Sequence, residues 1–322
     1  MPITWRRAVW ADIEEGISIQ PKNWGDALVG LQAALEAWRY ITASPFFASA
    51  VLERKTGHKG TELIGFGAAI FVKSDFADAE IRKTSPDINS RFVAGIAGGR
   101  PLLATYEEVA QANAGEGVDV LVLCGNWHDE KINSDERHKM QTLYASSFAE
   151  CLGGYRIRRI LYETADAPAE QFVRDSVVYK AIAAFPELGR ATFVMSRESV
   201  REVPASIGNV IFSYTEPVFG LRESDQQLLG AAVNGATDSE LASELGVTAA
   251  AIKARWRSIF ARIDSVIPDL VSDDREDEYR GLQKRHRVLA YIRLHPEELR
   301  PYDPKRRRSS PGDLESSASA SA

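Results

Sequence analysis

The chain has 322 residues, of which 44% are hydrophobic and 26% are charged, as in a globular protein long enough for two domains. Its net charge of -6 excludes nonspecific polyanion binding by the whole molecule. A local basic surface can still bind phosphates in a protein of this net charge. The two cysteines, Cys124 and Cys151, exclude a disulfide framework and a cysteine zinc site. No segment has the pattern of a signal peptide or a membrane span, so a soluble, cytoplasmic protein is expected.

Residues 1–213 alternate β-rich apolar runs with helix-like stretches, which predicts an α/β or α+β domain. Ser134 is expected to cap a helix that ends before Gly153. A second helix is predicted over residues 168–185, beginning at Pro168 and closed by Pro186. Five segments with β-branched residues are predicted as strands: 63–72, 118–124, 155–163, 191–196 and 209–213.

The order of these elements, together with the opening ITWRRAVWADIEEG, resembles the GNAT acyltransferases. The resemblance implies an acyl-CoA ligand, whose phosphates contact backbone N–H groups of a Gln/Arg-x-x-Gly-x-Gly/Ala loop after the central strand. Here that stretch reads GNWHDEKINSDERHK, which contains only Gly125 and includes acidic residues that would repel a phosphate. The glycine-rich RFVAGIAGGRPLL lacks the spacing as well. An acyl-CoA-binding, GNAT-like protein is therefore the alternative interpretation, with no catalytic residue assigned and no enzymatic activity predicted.

The other groups of polar and aromatic residues in this half do not indicate a catalytic or metal-binding site. His128 and His138 lie ten positions apart without a third ligand, so neither a metal site nor a cofactor is predicted. The tryptophan and phenylalanine residues near the N-terminus are interpreted as core, with the lining of a small-molecule pocket as the alternative. An unknown small-molecule or protein signal is expected at this domain from the two-domain architecture alone.

Short helices with capping signals replace this pattern after Pro217. N-terminal caps are predicted at Ser224, Thr237 and Thr248, the first two as capping boxes. Glycines at positions 235 and 246 are expected to end two of these helices in the left-handed conformation. Two short helices joined through a glycine turn predict a helix-turn-helix.

Residues 219–264 resemble the LuxR-type (GerE-like) helix-turn-helix domain without a gap. Ala251 and Arg255 depart from the family pattern, as does the opening Arg222–Asp225. The run Lys253-Ala254-Arg255 looks equally like region 4 of an extracytoplasmic-function sigma factor, but no region 2 is recognisable upstream. The matching positions are Leu221, Leu229, Gly235, Glu240, Leu241, Ala242, Leu245, Val247, Thr248, Ile252, Lys253, Ile259, Phe260 and Ile263.

The resemblance implies a DNA-binding transcriptional regulator, which is the predicted function. One side of the third helix is apolar, and the opposite side carries cations and small residues, which suit phosphates and close approach to base edges. The predicted partner is therefore double-stranded DNA, which the protein binds as a homodimer on paired half-sites. No interaction with a membrane is predicted. An unliganded surface and a helix-turn-helix used for protein contact are the alternatives. The predicted DNA-contacting residues are Thr248, Lys253, Ala254, Arg255, Arg257, Ser258 and Arg262.

Four segments are predicted along the chain. Residues 1–213 form the α/β domain, either sensory or a degenerate acyltransferase, and residues 214–270 form the LuxR-type domain. Residues 271–300 form a helical extension that dimerises, contacts phosphate or docks on its own domain. Residues 301–322 are basic, proline-broken and then Ser/Ala-rich, which predicts a disordered tail.

Overall fold

The computed structural model describes residues 2–18, 28–56, 60–128, 132–271 and 280–303. The protein is mixed α/β, which confirms the predicted class in its general form. The chain divides into two compact units. The first comprises Met1–Val109 and Glu116–Ser213, and the second comprises Ala110–Gly115 and Tyr214–Ala322.

Within the described ranges, no helix combines the length and the apolar character needed to span a membrane.

A seven-stranded sheet forms the centre of the first unit. Its strands are β1 (Ile3–Arg6), β2 (Phe47–Lys55), β3 (Thr61–Val72), β4 (Val118–Trp127), β5 (Ile157–Thr164), β6 (Tyr179–Phe185) and β7 (Arg190–Ser196). They lie in the order β1-β2-β3-β4-β5-β7-β6. Neighbouring strands are antiparallel except for β4 and β5, which are parallel. Most of β3 and β4 is buried, because helices cover both faces of the sheet there.

The helices of the first unit pack on these two faces. On one face, Ile13, Trp38 and Phe92 form a core with Phe66 of β3. On the other face, Met140 and Tyr144 pack on β2 and β3. The helices are α1 (Trp10–Ser18), α2 (Leu31–Thr42), α3 (Ser74–Arg82), α4 (Ile88–Ala97), α5 (Tyr106–Ala114), α6 (Ser134–Leu152), α7 (Ala167–Asp175), α8 (Arg197–Arg201) and α9 (Ile207–Ile211), although α5 continues into the second unit.

Four of the five predicted strands are confirmed as β3, β4, β5 and β7. The predicted helix before Gly153 is α6, but its N-cap is Asn133 and not Ser134. The predicted helix over 168–185 is wrong in its second half, because α7 ends at Asp175 and β6 pairs with β7. The fifth strand, predicted over 209–213, is also wrong. Those residues belong to α9 and its end, where the Asn209 side chain donates to the Val203 carbonyl.

The described part of the second unit contains α10 (Glu223–Val233), α11 (Asp238–Glu244), α12 (Ala249–Asp264), α13 (Pro268–Val271), α14 (Arg280–Leu294) and a 3-10 helix, Pro296–Leu299. The Thr237 capping box and the Thr248 cap are confirmed. Gly235 and Gly246 have φ values of 95° and 63°, which confirms their left-handed conformation. The Ser224 cap is wrong, because the N-cap of α10 is Arg222, two residues earlier, and Ser224 lies inside the helix.

Helix α14 packs within its own unit. Val288, Leu289 and Ile292 are buried in the same core as Trp256 of α12. Of the three roles predicted for this helix, the structure therefore supports docking on its own domain. The predicted disordered tail lies outside the described residues from position 304 onward, and its first residue, Pro301, is buried with its carbonyl accepting from Asn113 Nδ2 at 2.7 Å.

Glu298 of the 3-10 helix holds the chain that leads into α10. Its carboxylate is 1% exposed and accepts from the backbone N–H groups of Val218, at 2.8 Å, and Phe219, at 3.1 Å. In Glu298→Gln, the side-chain NH2 group replaces one of the two carboxylate oxygens, so one of these backbone N–H groups loses its acceptor. We therefore expect the free energy of unfolding to fall by about 1–2 kcal/mol. Urea denaturation checks this, with the exposed Glu244→Gln on α11 as the control that should change nothing.

Candidate ligand-binding site

The parallel strands β4 and β5 pair along only part of their length. Their register runs from Val118 opposite Ile157 to Val122 opposite Tyr162. Beyond these residues, β4 continues beside β3 and β5 continues beside β7. The backbone groups of residues 123–127 and 163–164 therefore border an opening between the strands, where an extended ligand with amide groups can pair with them.

A β-bulge at Leu123 lies where the two strands separate. On β3, Ala69 pairs with Val122 and Ala68 pairs with Cys124, so Leu123 has no partner there. An extra residue reverses the alternation of the side chains that follow it. As a result, Gly125 and Trp127 line the same cavity as Val122.

An apolar cavity of about 170 Å³ adjoins this opening. Its walls come from β4 to β7 and from α6, α7 and α9, all in the first unit. A cavity of roughly 150 Å³ with such a lining stays dry and accepts benzene, so this one has room for an aromatic ring or a hydrocarbon chain segment. The buried side chains at its base include Leu152, Ile160, Val173, Val178, Met195 and Ile211.

Two glycines of β3 fix one wall of the cavity. A Cβ at Gly67 would lie 2.7 Å from Cε1 of Tyr144, and a Cβ at Gly65 would lie 2.7 Å from the Tyr144 hydroxyl. The ring therefore lies directly on the strand backbone. Its hydroxyl donates to the carbonyl of Asn126 at 2.7 Å, which ties α6 to the C-terminal end of β4.

Neutral polar groups provide the remaining recognition chemistry. The rings of Tyr162 and Tyr179 lie 6.2 Å apart in the cavity wall, and burial raises the pKa of both hydroxyls. Both therefore stay protonated at neutral pH and remain hydrogen-bond donors. The described lining includes Gln141 but no Asp, Glu, His, Lys or Arg, so it suits a neutral carbonyl better than an ion.

The N-terminus of α6 is already occupied by protein groups. The Asn133 side chain accepts from the Glu136 N–H at 3.0 Å, and the Glu136 carboxylate accepts from the Asn133 N–H at 3.2 Å. Glu136 also forms an ion pair with Arg54 at 3.0 Å. A helix N-terminus attracts phosphate through free N–H groups, and here a capping box with an acidic side chain replaces them. The preceding residues 129–131 lie outside the described ranges.

The seven predicted DNA-contacting residues all lie on α12 or at its cap. Thr248 Oγ1 accepts from the Ala251 N–H at 3.2 Å, and Arg262 Nε donates to the Phe219 carbonyl. Arg255 is half-buried. The remaining four are exposed, namely Lys253, Ala254, Arg257 and Ser258. Their individual roles stay predictions.

The comparisons with known proteins give a likeness among solved structures but none among family models or curated proteins. No family model matches the chain, and no curated protein matches it. Among solved structures, the chain is similar to FeeM, an N-acyl amino acid synthase from uncultured soil microbes. The identity is 11%, the TM-score is 0.36, and the match covers 62% of this chain and 94% of that one.

The predicted function, a LuxR-type DNA-binding transcriptional regulator, is wrong, and so is the prediction of double-stranded DNA, read by a homodimer, as the partner. The solved structure named above is an N-acyl amino acid synthase, and no LuxR-type family model and no LuxR-type curated protein matches the chain.

Sequence reasoning missed the cavity. Tyr144 lies within the helix predicted to end before Gly153, and Tyr162 lies within the strand predicted over 155–163, so neither was expected to line a cavity. The Gly65-Phe66-Gly67 pattern within an otherwise apolar strand was an available signal, because glycine inside a strand often marks the close approach of another group.

Proposed function

We propose that the first unit binds an acyl thioester of the acyl-CoA type, in the manner of a GNAT-like protein. One observation carries the proposal: β4 and β5 separate after Val122 and Tyr162, directly beside an apolar cavity. The acyl chain occupies the cavity, and the amide-bearing arm of the thioester lies along the open strand edges.

The chemistry of the walls supports this arrangement. A pantetheine arm carries two amides, whose donors and acceptors suit the strand backbone that borders the opening between β4 and β5. The thioester carbonyl accepts from the Tyr162 hydroxyl, which lies 3.7 Å from the Cβ position of Gly125. Each methylene of the chain that leaves water contributes about 0.8 kcal/mol to binding.

The nucleotide half of acyl-CoA receives little support from the protein. The capping box of Asn133 and Glu136 occupies the helix terminus at which a diphosphate would bind. We therefore propose that affinity comes from the acyl chain and the pantetheine arm, and that the diphosphate adds little.

Calorimetry on the full-length protein tests this proposal. We expect octanoyl-pantetheine and octanoyl-CoA to bind with affinities within about threefold of each other. Ala145→Phe places a ring inside the cavity and should weaken binding of both at least tenfold, since about 1.4 kcal/mol of chain burial is removed. Ala149→Phe, on the same helix but outside the cavity lining, is the matched control. If neither octanoyl-pantetheine nor octanoyl-CoA gives a heat of binding, the proposal is wrong.

We also propose that residues 214–303 form a separate all-α domain of the helix-turn-helix type. The core shared by α10 to α14 supports this division. Two calorimetric unfolding transitions are expected, and Glu298→Gln should lower the midpoint of only one of them. A single transition that shifts as a whole would contradict the division.

A further inference from the structure

The cavity opens onto an exposed apolar surface. Phe172 of α7 is 44% exposed and Ile207 of α9 is 41% exposed, yet both line the cavity. Exposed apolar side chains that adjoin one another mark a ligand-binding groove or an interaction site more often than isolated ones do. The apolar lining therefore continues from the interior to the surface between two helices.

Two further valines extend this surface. Val210, which is 56% exposed, follows Ile207 by three positions on α9 and so lies on the same side of the helix. Val177, which is 63% exposed, stands between the lining residues Ser176 and Val178. We define the apolar rim as Phe172, Val177, Ile207 and Val210.

The backbone at Val177 is strained. Its φ is 62°, in the left-handed region that a β-branched residue rarely adopts. Strain of this kind persists where the surrounding structure imposes it, and it is concentrated at ligand-binding positions. The turn between α7 and β6 thus holds a valine outward at the opening of the cavity.

We infer that the bound acyl chain is longer than the cavity and leaves it across the apolar rim, so that the ligands are medium- to long-chain acyl thioesters. This inference rests on the proposed function and specifies the substrate class of the same site. The inner part of the chain fills the cavity, and its distal methylenes cover Phe172 and Ile207.

The charges beside the rim favour a single chain over a bilayer surface. Arg174 pairs with Glu170 at 2.6 Å, and Lys180 pairs with Glu202 at 2.8 Å. Neighbouring cations are thereby matched by acids, and the rim lacks the excess of basic residues with which peripheral proteins attract anionic lipid.

A chain-length series on the full-length protein tests the inference. A methylene that contacts only the rim is partly buried, so we expect it to raise the binding affinity roughly twofold. A methylene inside the cavity should raise the affinity about fourfold. Dodecanoyl-pantetheine should therefore bind at least tenfold more tightly than octanoyl-pantetheine. Ile207→Trp narrows the exit and should abolish this difference between the two thioesters.

Two variants keep the result interpretable. Leu188→Trp changes a side chain that is 43% exposed in the same unit but outside the cavity lining, and the tenfold difference should persist. Phe172→Ala removes apolar area from the rim without introducing a larger side chain, and it should reduce the difference between the two thioesters if Ile207→Trp does not fold.

The outcomes separate the two proposals. If octanoyl-pantetheine binds and the dodecanoyl thioester binds no more tightly, the exit is closed and this inference is overturned, while the proposed function stands. If neither thioester binds, the proposed function is wrong, and the inference that rests on it is wrong as well. Binding of the protein to phosphatidylcholine vesicles that is lost in Phe172→Ala would also overturn the inference, because it would assign the rim to a bilayer.

Discussion

Gly117→Ala is expected to lower the free energy of unfolding by about 3 kcal/mol. Gly117 precedes β4 with a φ of 106°, where a side chain costs roughly 1–2 kcal/mol. A Cβ there would lie 2.5 Å from the Arg156 carbonyl oxygen and 2.9 Å from the Arg158 nitrogen. Both are backbone atoms that cannot rotate away, and overpacking of this kind costs about 1–3 kcal/mol more.

The matched control is Gly99→Ala. Gly99 also has a positive φ, 78°, but no atom lies within 4 Å of its Cβ position. Its substitution should cost about 1 kcal/mol from backbone strain alone. Urea denaturation of both variants separates the steric contribution from the conformational one. Equal losses in the two variants would show that β5 does not approach Gly117 as closely as the structure indicates.

The same substitution has a consequence for the site. The Val118 N–H donates to the Arg156 carbonyl at 2.7 Å, at the closed end of the β4–β5 pair. Displacing Arg156 loosens the end at which the strands are joined, and the width of the opening at the other end depends on that junction. Gly117→Ala should therefore weaken octanoyl-pantetheine binding even at temperatures where the protein remains folded.

Three of the four strands that sequence predicted correctly are mostly buried, although β2, which is buried over much of its length, was not predicted. In β3, β4 and β7, runs of apolar and β-branched residues leave few alternatives. The segment 177–185 was misassigned because its apolar residues also fit a helical spacing, and pairing with β7 decides the outcome. The short run 209–213 shows the same limit, since periodicity cannot distinguish a buried strand from a helical turn over five residues.

The cavity was beyond prediction for a different reason. Val122, Phe148, Tyr162 and Ile207 belong to four elements that are distant in sequence, and only the sheet order brings them together. The helices of the second unit, in contrast, were predicted from local signals such as Thr237 with Glu240. Those signals specify helices and turns, but they do not specify what the helices bind, and the regulator prediction failed at that step.

Glu163 predicts a pH dependence of stability with a definite sign. The carboxyl group is 1% exposed at the end of β5, and its oxygens accept from the N–H groups of Asp87, at 2.8 Å, and Ile88, at 3.1 Å. Burial raises its pKa from 4.5 to about 7, although the charge of Arg91 and the Ile88 hydrogen bond oppose this and the charge of Glu80 adds to it. The proton is thus held more tightly in the folded state than in the unfolded one.

Below about pH 4.5 the group is protonated in both states, and its contribution to stability is fully present. Between pH 4.5 and 7 the unfolded chain releases its proton first, so the free energy of unfolding falls as pH rises. A difference of about 2.5 pKa units corresponds to about 3 kcal/mol, all of which is lost above pH 7.

Glu163→Gln removes this titration. We expect the wild-type stability, measured relative to the variant by urea denaturation, to decrease by about 3 kcal/mol from pH 4.5 to pH 8. Carboxyl groups with lowered pKa values, such as Asp12 and Asp78, act in the opposite direction at lower pH and cancel in the difference. The control is Glu187→Gln, at an exposed position, whose free energy of unfolding should change with pH in the same way as that of the wild type. A constant difference across this range would mean that Glu163 is ionised in the folded protein and stabilises the start of α4 as a charged cap.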